Sequence, residues 1–367
     1  MVVFFKSYFG GAEMNRIQKV KELIKEKEVH GILISSPENR RYFSGFTGSA
    51  GNLLITPDKN LLVTDFRYIS QGKEQAEGYE IIKTSKEYSL TDVIKNEKLE
   101  SIAIEEDYTT YEQYLKYTEK LPDIDIKSLD KNLLKIRSIK EEDEIGKIRN
   151  AAQITDKAYS YILNEIKPGI KERDVANALE FFMKNEGAAK VSFDIIVASG
   201  VRSSLPHGIA SEKVIEKGDM ITLDFGCVYE GYCSDMTRSF VLGKATERQK
   251  EIYHVVLKAQ MEALNSVKDG ITGIELDNIA RDIITDAGYG DYFGHGLGHG
   301  VGLLVHELPH VNHLGQEKME PGNVITIEPG VYIPEYGGVR IEDLVVVRKD
   351  GYEVLSNSPK DLIEISC

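Results

Sequence analysis

Lys217-Gly-Asp-Met-Ile-Thr-Leu-Asp-Phe-Gly226 recurs 104 residues later as Pro321-Gly-Asn-Val-Ile-Thr-Ile-Glu-Pro-Gly330, with the apolar, threonine, acidic and glycine positions in step. Upstream, Lys167-Pro-Gly-Ile170 recurs as Lys268-Asp-Gly-Ile271, and a helix-like stretch follows each copy. The period is far too long for a solenoid repeat. It predicts a duplicated helix-plus-strands unit whose halves pack about a pseudo-twofold axis. Asp224 and Glu328 would then face each other from equivalent positions.

Working outward, Ser138 followed three residues later by Glu141 carries a capping-box signature. The helix it opens is expected to run to about Ile166, where Pro168-Gly169 stops it. A second amphipathic helix is expected over Glu172 to Asn185, with Val175, Leu179 and Phe182 on one side. Ahead of this lies a smaller α/β pattern. Ile17, Val20, Leu23 and Ile24 share one helical face behind the cap candidate Asn15, and short apolar runs follow at Gly31-Ile34, Asn52-Ile55, Leu61-Val63 and Ile102-Ile104. The expected organisation is residues 1–13 as a leader or alternative start before Met14, an α/β domain over 14–132 and the duplicated domain over 133–367.

The chain has 367 residues, 41% hydrophobic and 28% charged, which is ordinary globular composition with room for two cores. A net charge of -14 argues against nucleic acid or an anionic membrane as partner, since both require basic patches. No apolar run reaches membrane-spanning length. Cys227, Cys233 and Cys367 are too few for a disulfide framework, so a reducing cytoplasm is expected.

Acidic residues are depleted in strands, and a buried carboxylate needs a partner. Yet Asp224 ends one apolar run and Asp235 follows eleven residues later, across a turn at Glu230-Gly231 that suggests a hairpin. Glu328 and Glu342 stand likewise on neighbouring apolar runs of the second half. Each half thus offers two carboxylates, expected at matched repeat positions, and four of them at close range repel unless cations intervene. Five of the eight histidines fall between His295 and His313. The glycines among residues 294 to 302 oppose a helix and favour a tight loop that approaches a ligand closely. His299 would add one imidazole to an oxygen-rich site, which suits Mn, Co, Fe or Zn better than Mg or Ca. His310 and His313 read as ordinary hydrogen-bonded histidines. The glycines lack the spacing and strand-to-helix context of a dinucleotide fingerprint.

The stretch Phe293-Gly-His-Gly-Leu-Gly-His-Gly-Val-Gly-Leu-Leu-Val-His-Glu307, with Asp224, Asp235, His299, Glu328 and Glu342, resembles the pita-bread metallopeptidases, in the branch of aminopeptidase P and prolidase. Tyr42-Phe-Ser-Gly-Phe-Thr-Gly48 and Thr64-Asp-Phe-Arg-Tyr68 resemble the creatinase-like N-terminal domain of that branch. The resemblance implies an α/β fold and two divalent metals, Mn first with Co, Zn or Fe tolerated. Asp224 would bind one metal, Asp235 and Glu342 would bridge, and His299 and Glu328 would bind the other. It further implies that Glu328 shuttles a proton, that His207, His295 and His306 contact substrate, and that Arg340 supports the bridging glutamate. The substrates would be peptides with proline at the second position, and a homodimer is implied. The leading expectation is an Xaa-Pro aminopeptidase, with prolidase as its nearest rival because the two share all ligands. Methionine aminopeptidase lacks the front domain, creatinase lacks the full ligand set, and a non-catalytic scaffold would be expected to have lost ligands.

Overall fold

The computed structural model describes residues 16–366. The expected leader over 1–13, the cap candidate Asn15 and Cys367 lie outside the described residues. The chain divides into two compact units between Ile136 and Arg137.

In the first unit the elements run α1 (Arg16–Glu26), β1 (Gly31–Ile34), α2 (Pro37–Ser44), β2 (Asn52–Ile55), β3 (Asn60–Thr64), α3 (Ile69–Gln75), β4 (Glu80–Lys83), α4 (Leu90–Asn96), β5 (Ser101–Ile104), α5 (Tyr111–Lys120) and β6 (Asp125–Ser128). One sheet of order β4-β3-β2-β1-β5-β6 holds them together. All four residues of β1 are buried, as a central strand covered on both faces requires. Helix α2 begins where sequence chemistry places it: Ser36 Oγ accepts from the Asn39 N–H at 3.3 Å and Pro37 occupies the first turn. Gly45 ends it at φ 75°. The buried Glu105 carboxylate accepts from Ser36 Oγ and Asn39 Nδ2, both at 2.6 Å, and so ties α2 to the end of β5.

Helix α6 (Asn132–Ser138) leads into the second unit, whose first half contains α7 (Glu142–Glu165), α8 (Glu172–Asn185), β7 (Lys190–Val191), β8 (Ile196–Ser199), β9 (Met220–Phe225), β10 (Cys227–Tyr229), β11 (Tyr232–Cys233) and β12 (Met236–Leu242). The second half contains α9 (Glu247–Asn265), α10 (Gly273–Asp286), β13 (Gly298–Gly300), β14 (Glu307–Val311), β15 (Val324–Ile327), β16 (Gly330–Ile333), β17 (Gly337–Arg340), β18 (Asp343–Arg348) and β19 (Gly351–Val354). A last strand, β20 (Glu364–Ile365), returns to pair with β12. Each half places a helix pair over a largely antiparallel sheet, β20-β12-β9-β8 in one and β14-β13-β15-β18-β19 in the other. Two apolar cores result. Ile162, Leu179, Leu223 and Phe240 anchor the first, and Val256, Leu276, Ile327 and Val345 the second. Each such side chain contributes roughly 1.5–3 kcal/mol when fully buried.

The duplication is visible in the turns. Gly169 and Gly270 follow the first helix of each half at φ 95° and 82°, and their N–H groups donate to the equivalent carbonyls of Ile215 and Met319 at 3.0 and 2.8 Å. Gly218 and Gly322, which precede β9 and β15, sit at φ 94° and 95°. A side chain would strain these left-handed positions, so glycine recurs there.

Three sequence expectations need correction. Ser138 does not cap the long helix. Its carbonyl accepts from Asn323 Nδ2 at 3.0 Å, and Lys140 N–H donates to Gly322 O at 2.9 Å. Residues 139–141 are therefore held along the turn before β15, and the helix starts one turn later, with Glu144 accepting from the Glu141 N–H at 3.0 Å. Asp224 and Asp235 do not lie on one simple hairpin either. Strand β9 pairs with β12, while the intervening β10 and β11 leave to form a separate sheet with β7. Finally, the four carboxylates are not all matched. Leu223 pairs with Arg238, and its repeat equivalent Ile327 pairs with Asp343. By that register Glu342 corresponds to Thr237, and Asp235 corresponds to Arg340. Only Asp224 and Glu328 are equivalents.

Candidate metal centre

A cavity of about 440 Å³ in the second unit is lined by Asp224, Asp235, His299, Glu328 and Glu342, and also by His207, His295, His306 and Arg340. Every site residue expected from sequence therefore reaches one wall of one cavity. Asp224 stands near the end of β9 and Glu328 just past β15. Asp235 and Glu342 immediately precede β12 and β18. The antiparallel pairings β9–β12 and β15–β18 bring these strand ends together.

His299 sits in the three-residue β13, wedged between β14 and β15. A Cβ at Gly298 would meet Thr326 O at 2.1 Å, and one at Gly300 would meet Leu308 O at 2.1 Å. The flanking glycines are what let this strand in. His299 Nδ1 lies 3.1 Å from Gly300 O. A carbonyl can only accept, so Nδ1 carries the proton and Nε2 faces the carboxylates. Nε2 is 3.2 Å from Glu328 Oε1 and 3.7 Å from Asp235 Oδ2. Thr326 fixes the pair from behind, accepting from His299 N–H at 3.1 Å and donating to Glu328 Oε1 at 3.0 Å.

The electrostatics call for a cation. Ligand atoms of Asp235, His299 and Glu342 lie within 4.8 Å of one another. Asp224 Oδ1 is sealed from solvent and has no hydrogen-bond partner among the described residues. Burial, then the neighbouring carboxylates, pushes the Asp235 and Glu342 carboxyls well above their usual range. Glu328 behaves oppposite to them. Burial raises it, but the hydrogen bond and charge of His299, with His295 and Arg340 nearby, hold it at about 2. A neutral imidazole would present its Nε2 lone pair to carboxylate oxygens, which is repulsive without a proton or a cation between them. The orphaned Asp224 oxygen, the crowded carboxylates and the aimed Nε2 together fit divalent metal.

Around the ligands runs a fixed hydrogen-bond frame. Arg340 donates to Asp224 Oδ2 at 2.6 Å, Thr237 Oγ1 at 3.0 Å, Tyr332 Oη at 2.7 Å and Pro206 O at 3.2 Å. Thr237 in turn donates to Glu342 Oε2 at 2.8 Å. Arg340 thus reaches Glu342 through Thr237 and contacts Asp224 directly. Tyr332, which nothing in the sequence singled out, accepts from Arg340 and donates to His295 Nε2 at 2.9 Å. His295 Nδ1 donates to Gly296 O at 2.8 Å, so both ring nitrogens are engaged by the protein. Burial holds His295 below its usual pKa, in keeping with this neutral tautomer. His306 and His207 are exposed on the wall. The His306 ring meets that of His299 edge-on, 4.3 Å between centroids.

His310 and Asn312 of the β14 segment also line the cavity, a placement the sequence reading missed for His310. His310 pairs directly opposite His299, so the two share a face of the sheet. Cys227 and Cys233 are buried and unpaired, and burial pushes the Cys233 thiol up to about 11. Their sulfurs lie against Ala151 O and Leu303 O, not among the ligands. No described helix is long and apolar enough to cross a membrane.

Residues 146–349 match the model of metallopeptidase family M24, and residues 16–139 match that of the creatinase/prolidase N-terminal domain. An Xaa-Pro dipeptidase of Pyrococcus furiosus is 41% identical over 95% of this chain and 99% of its own length. The structure of an Xaa-Pro dipeptidase from Bacillus anthracis superposes with a TM-score of 0.92 at 46% identity, covering 95% of this chain and 98% of that one. That of an X-Pro aminopeptidase from Thermotoga maritima gives 0.89 at 38% identity, covering 96% and 100%. With its duplicated core and its carboxylate–histidine cavity, the chain belongs to metallopeptidase family M24, the pita-bread peptidases, and carries a creatinase/prolidase-type domain in front.

Proposed function

We propose that this protein is an Xaa-Pro dipeptidase, hydrolysing the bond between the first residue of a dipeptide and its proline. The observation that carries this reading is full-length similarity, above 40% identity, to dipeptidases from both Pyrococcus furiosus and Bacillus anthracis. It reverses the order expected from sequence, where the aminopeptidase led. The aminopeptidase remains the second reading, favoured by the Thermotoga maritima structure.

In this account Asp224, Asp235, His299, Glu328 and Glu342 hold two divalent cations, with Mn the first choice and Co, Zn or Fe acceptable to the same donors. When bound, such a pair supplies an activated water and polarises the scissile carbonyl. The protein's own part is positional and protonic. Glu328, a carboxylate on the cavity wall beside His299, can carry a proton toward the proline nitrogen, which must be protonated to leave. His306 and His207, exposed on the cavity wall, are free to donate to the substrate carbonyl and steady the tetrahedral intermediate. His295 acts at one remove, keeping Tyr332 and Arg340 in line. Arg340 fixes the orientation of Asp224.

The test is to offer Ala-Pro and Ala-Pro-Ala to metal-stripped protein with and without Mn²⁺. Cleavage of the dipeptide alone, only with metal, supports the proposal. Release of alanine from the tripeptide moves the assignment to the aminopeptidase. Failure on both with metal bound overturns both readings.

A further inference from the structure

Directly after His306 comes Glu307, whose carboxylate is enclosed with the side chains of Arg137 and Lys140. Its side chain is 4% exposed, and those of Arg137 and Lys140 are 2% and 1% exposed. Arg137 Nη2 donates to Glu307 Oε1, and Lys140 Nζ lies 3.4 Å from Oε2 and 3.3 Å from Ser138 O. Glu307 Oε1 also accepts from the Leu304 N–H at 2.9 Å. The same carboxylate therefore grips the loop that carries His306 and the segment that leads into α7.

The loop is shaped to allow this. A Cβ at Gly302 would meet Glu307 Oε2 at 2.5 Å and Lys140 Cε at 3.0 Å. Gly302 donates to Leu304 O at 3.0 Å, and its carbonyl accepts from Cys233 N–H at 2.8 Å. His306 itself is exposed and makes no hydrogen bond among the described residues, so its place beside His299 is set by this loop and by their edge-on ring contact. A buried Arg–Glu pair, with a lysine whose pKa burial and then Arg137 lower to about 7, is a costly way to fix a loop. An apolar plug would serve stability as well, but would not orient the backbone at Leu304 and Glu307.

We propose that Arg137 and Lys140 are positioning residues which, through Glu307, hold the Gly302–His306 loop so that His306 faces the ligand cluster. This rests on the Xaa-Pro peptidase reading for its kinetic arm only. The test compares Lys140→Met and Glu307→Gln, each alone and combined with His306→Ala, in metal-loaded protein. Each single change is expected to lower kcat/KM by about 10- to 100-fold at unchanged metal stoichiometry. The same change in the His306→Ala background is expected to cost less than about threefold, because the path through His306 is already gone. Lys140→Arg should recover most of the loss. A second readout needs no substrate: in zinc-loaded protein the imidazole proton resonances of His306, assigned by their loss in His306→Ala, should shift or broaden in Lys140→Met. Where Glu307→Gln fails to fold, Gly302→Ala strains the same contact and takes its place. Equal losses with and without His306, or an unmoved His306 resonance in a folded variant, would overturn the proposal. If the wild type cleaves no Xaa-Pro substrate, the functional reading fails and the resonance alone decides.

Discussion

Arg238 and Asp343 form an ion pair, 2.7 Å from Nη2 to Oδ1, with their side chains 1% and 0% exposed. They are the pseudo-twofold equivalents of each other, since Arg238 pairs with Leu223 and Asp343 with Ile327. Their chain neighbours Thr237 and Glu342 are the hydrogen-bonded pair of the site. The duplication thus places an oppositely charged equivalent pair next in sequence to Thr237 and Glu342, where it locks β12 to β18. Gln260 and Lys360 donate to the second carboxylate oxygen at 2.9 and 2.6 Å, and Ser358 O accepts from Arg238 Nη2 at 2.8 Å.

Removing Arg238 leaves the enclosed Asp343 with Lys360 as its remaining counter-charge. Arg238→Met is therefore expected to destabilise the protein by about 3–5 kcal/mol in urea unfolding. Arg238→Met combined with Asp343→Leu should cost less than the sum of the two single changes, because the shared ion pair is lost only once. Additive losses would show that the pair is not coupled.

Arg340→Lys tests the hydrogen-bond frame rather than the charge. Lysine offers a point charge and cannot bond Asp224, Thr237 and Tyr332 at once. The expected result is a loss of about 10- to 100-fold in activity or metal affinity with little change in unfolding midpoint. Wild-type turnover and metal affinity in the lysine variant would reduce Arg340 to a neutralising charge.

Metal should stabilise the fold. The folded site gathers four carboxylates that repel, and unfolding disperses them. Metal at 100 times its Kd is expected to add about 2.7 kcal/mol for each independent site. Thermal unfolding with and without a chelator measures this, and an unchanged midpoint would argue against binding at the cluster.

In the first unit, Asp65 supplies a pH dependence. Its carboxylate accepts from Arg67 Nε and Nη2 at 2.9 and 2.8 Å and from the Arg67 N–H at 2.9 Å, which holds its pKa at about 2, below the ordinary 3.8. A depressed acid contributes stability that is present above the unfolded value and lost as pH falls through the folded one. Wild type should therefore exceed Asp65→Asn in stability at pH 5, and the difference should fade between pH 4 and 2. As the group is exposed, the effect will be small and weakened by salt. A carboxyl NMR titration of Asp65 at its ordinary value would contradict this.

What the sequence reveals and what it hides have separate physical causes. The repeat is legible because Gly169, Gly218, Gly270 and Gly322 satisfy local backbone demands that no other residue meets without strain. The four carboxylates of the site are legible because a carboxylate beside an apolar run is out of place unless something neutralises it. The register is not legible. Whether Asp235 or Thr237 matches Glu342 depends on how far the chain travels between paired strands, and β10–β11 and β16–β17 are excursions of different length. The start of α7 is hidden for a similar reason, since Asn323 and Gly322 claim Ser138 O and Lys140 N–H from almost two hundred residues away. Tyr332 meets His295 and Arg340, and His310 reaches the cavity, only through strand pairing, and neither carries a local signature.

The most direct test of the central claim is the metal content and turnover of the purified chain beside those of Asp235→Ala. Metal-stripped wild type should take up two equivalents of Mn²⁺ and gain Ala-Pro hydrolysis with them, while Asp235→Ala should lose at least one equivalent and its activity. Full turnover by Asp235→Ala, or wild-type turnover unaffected by metal removal, would contradict the account.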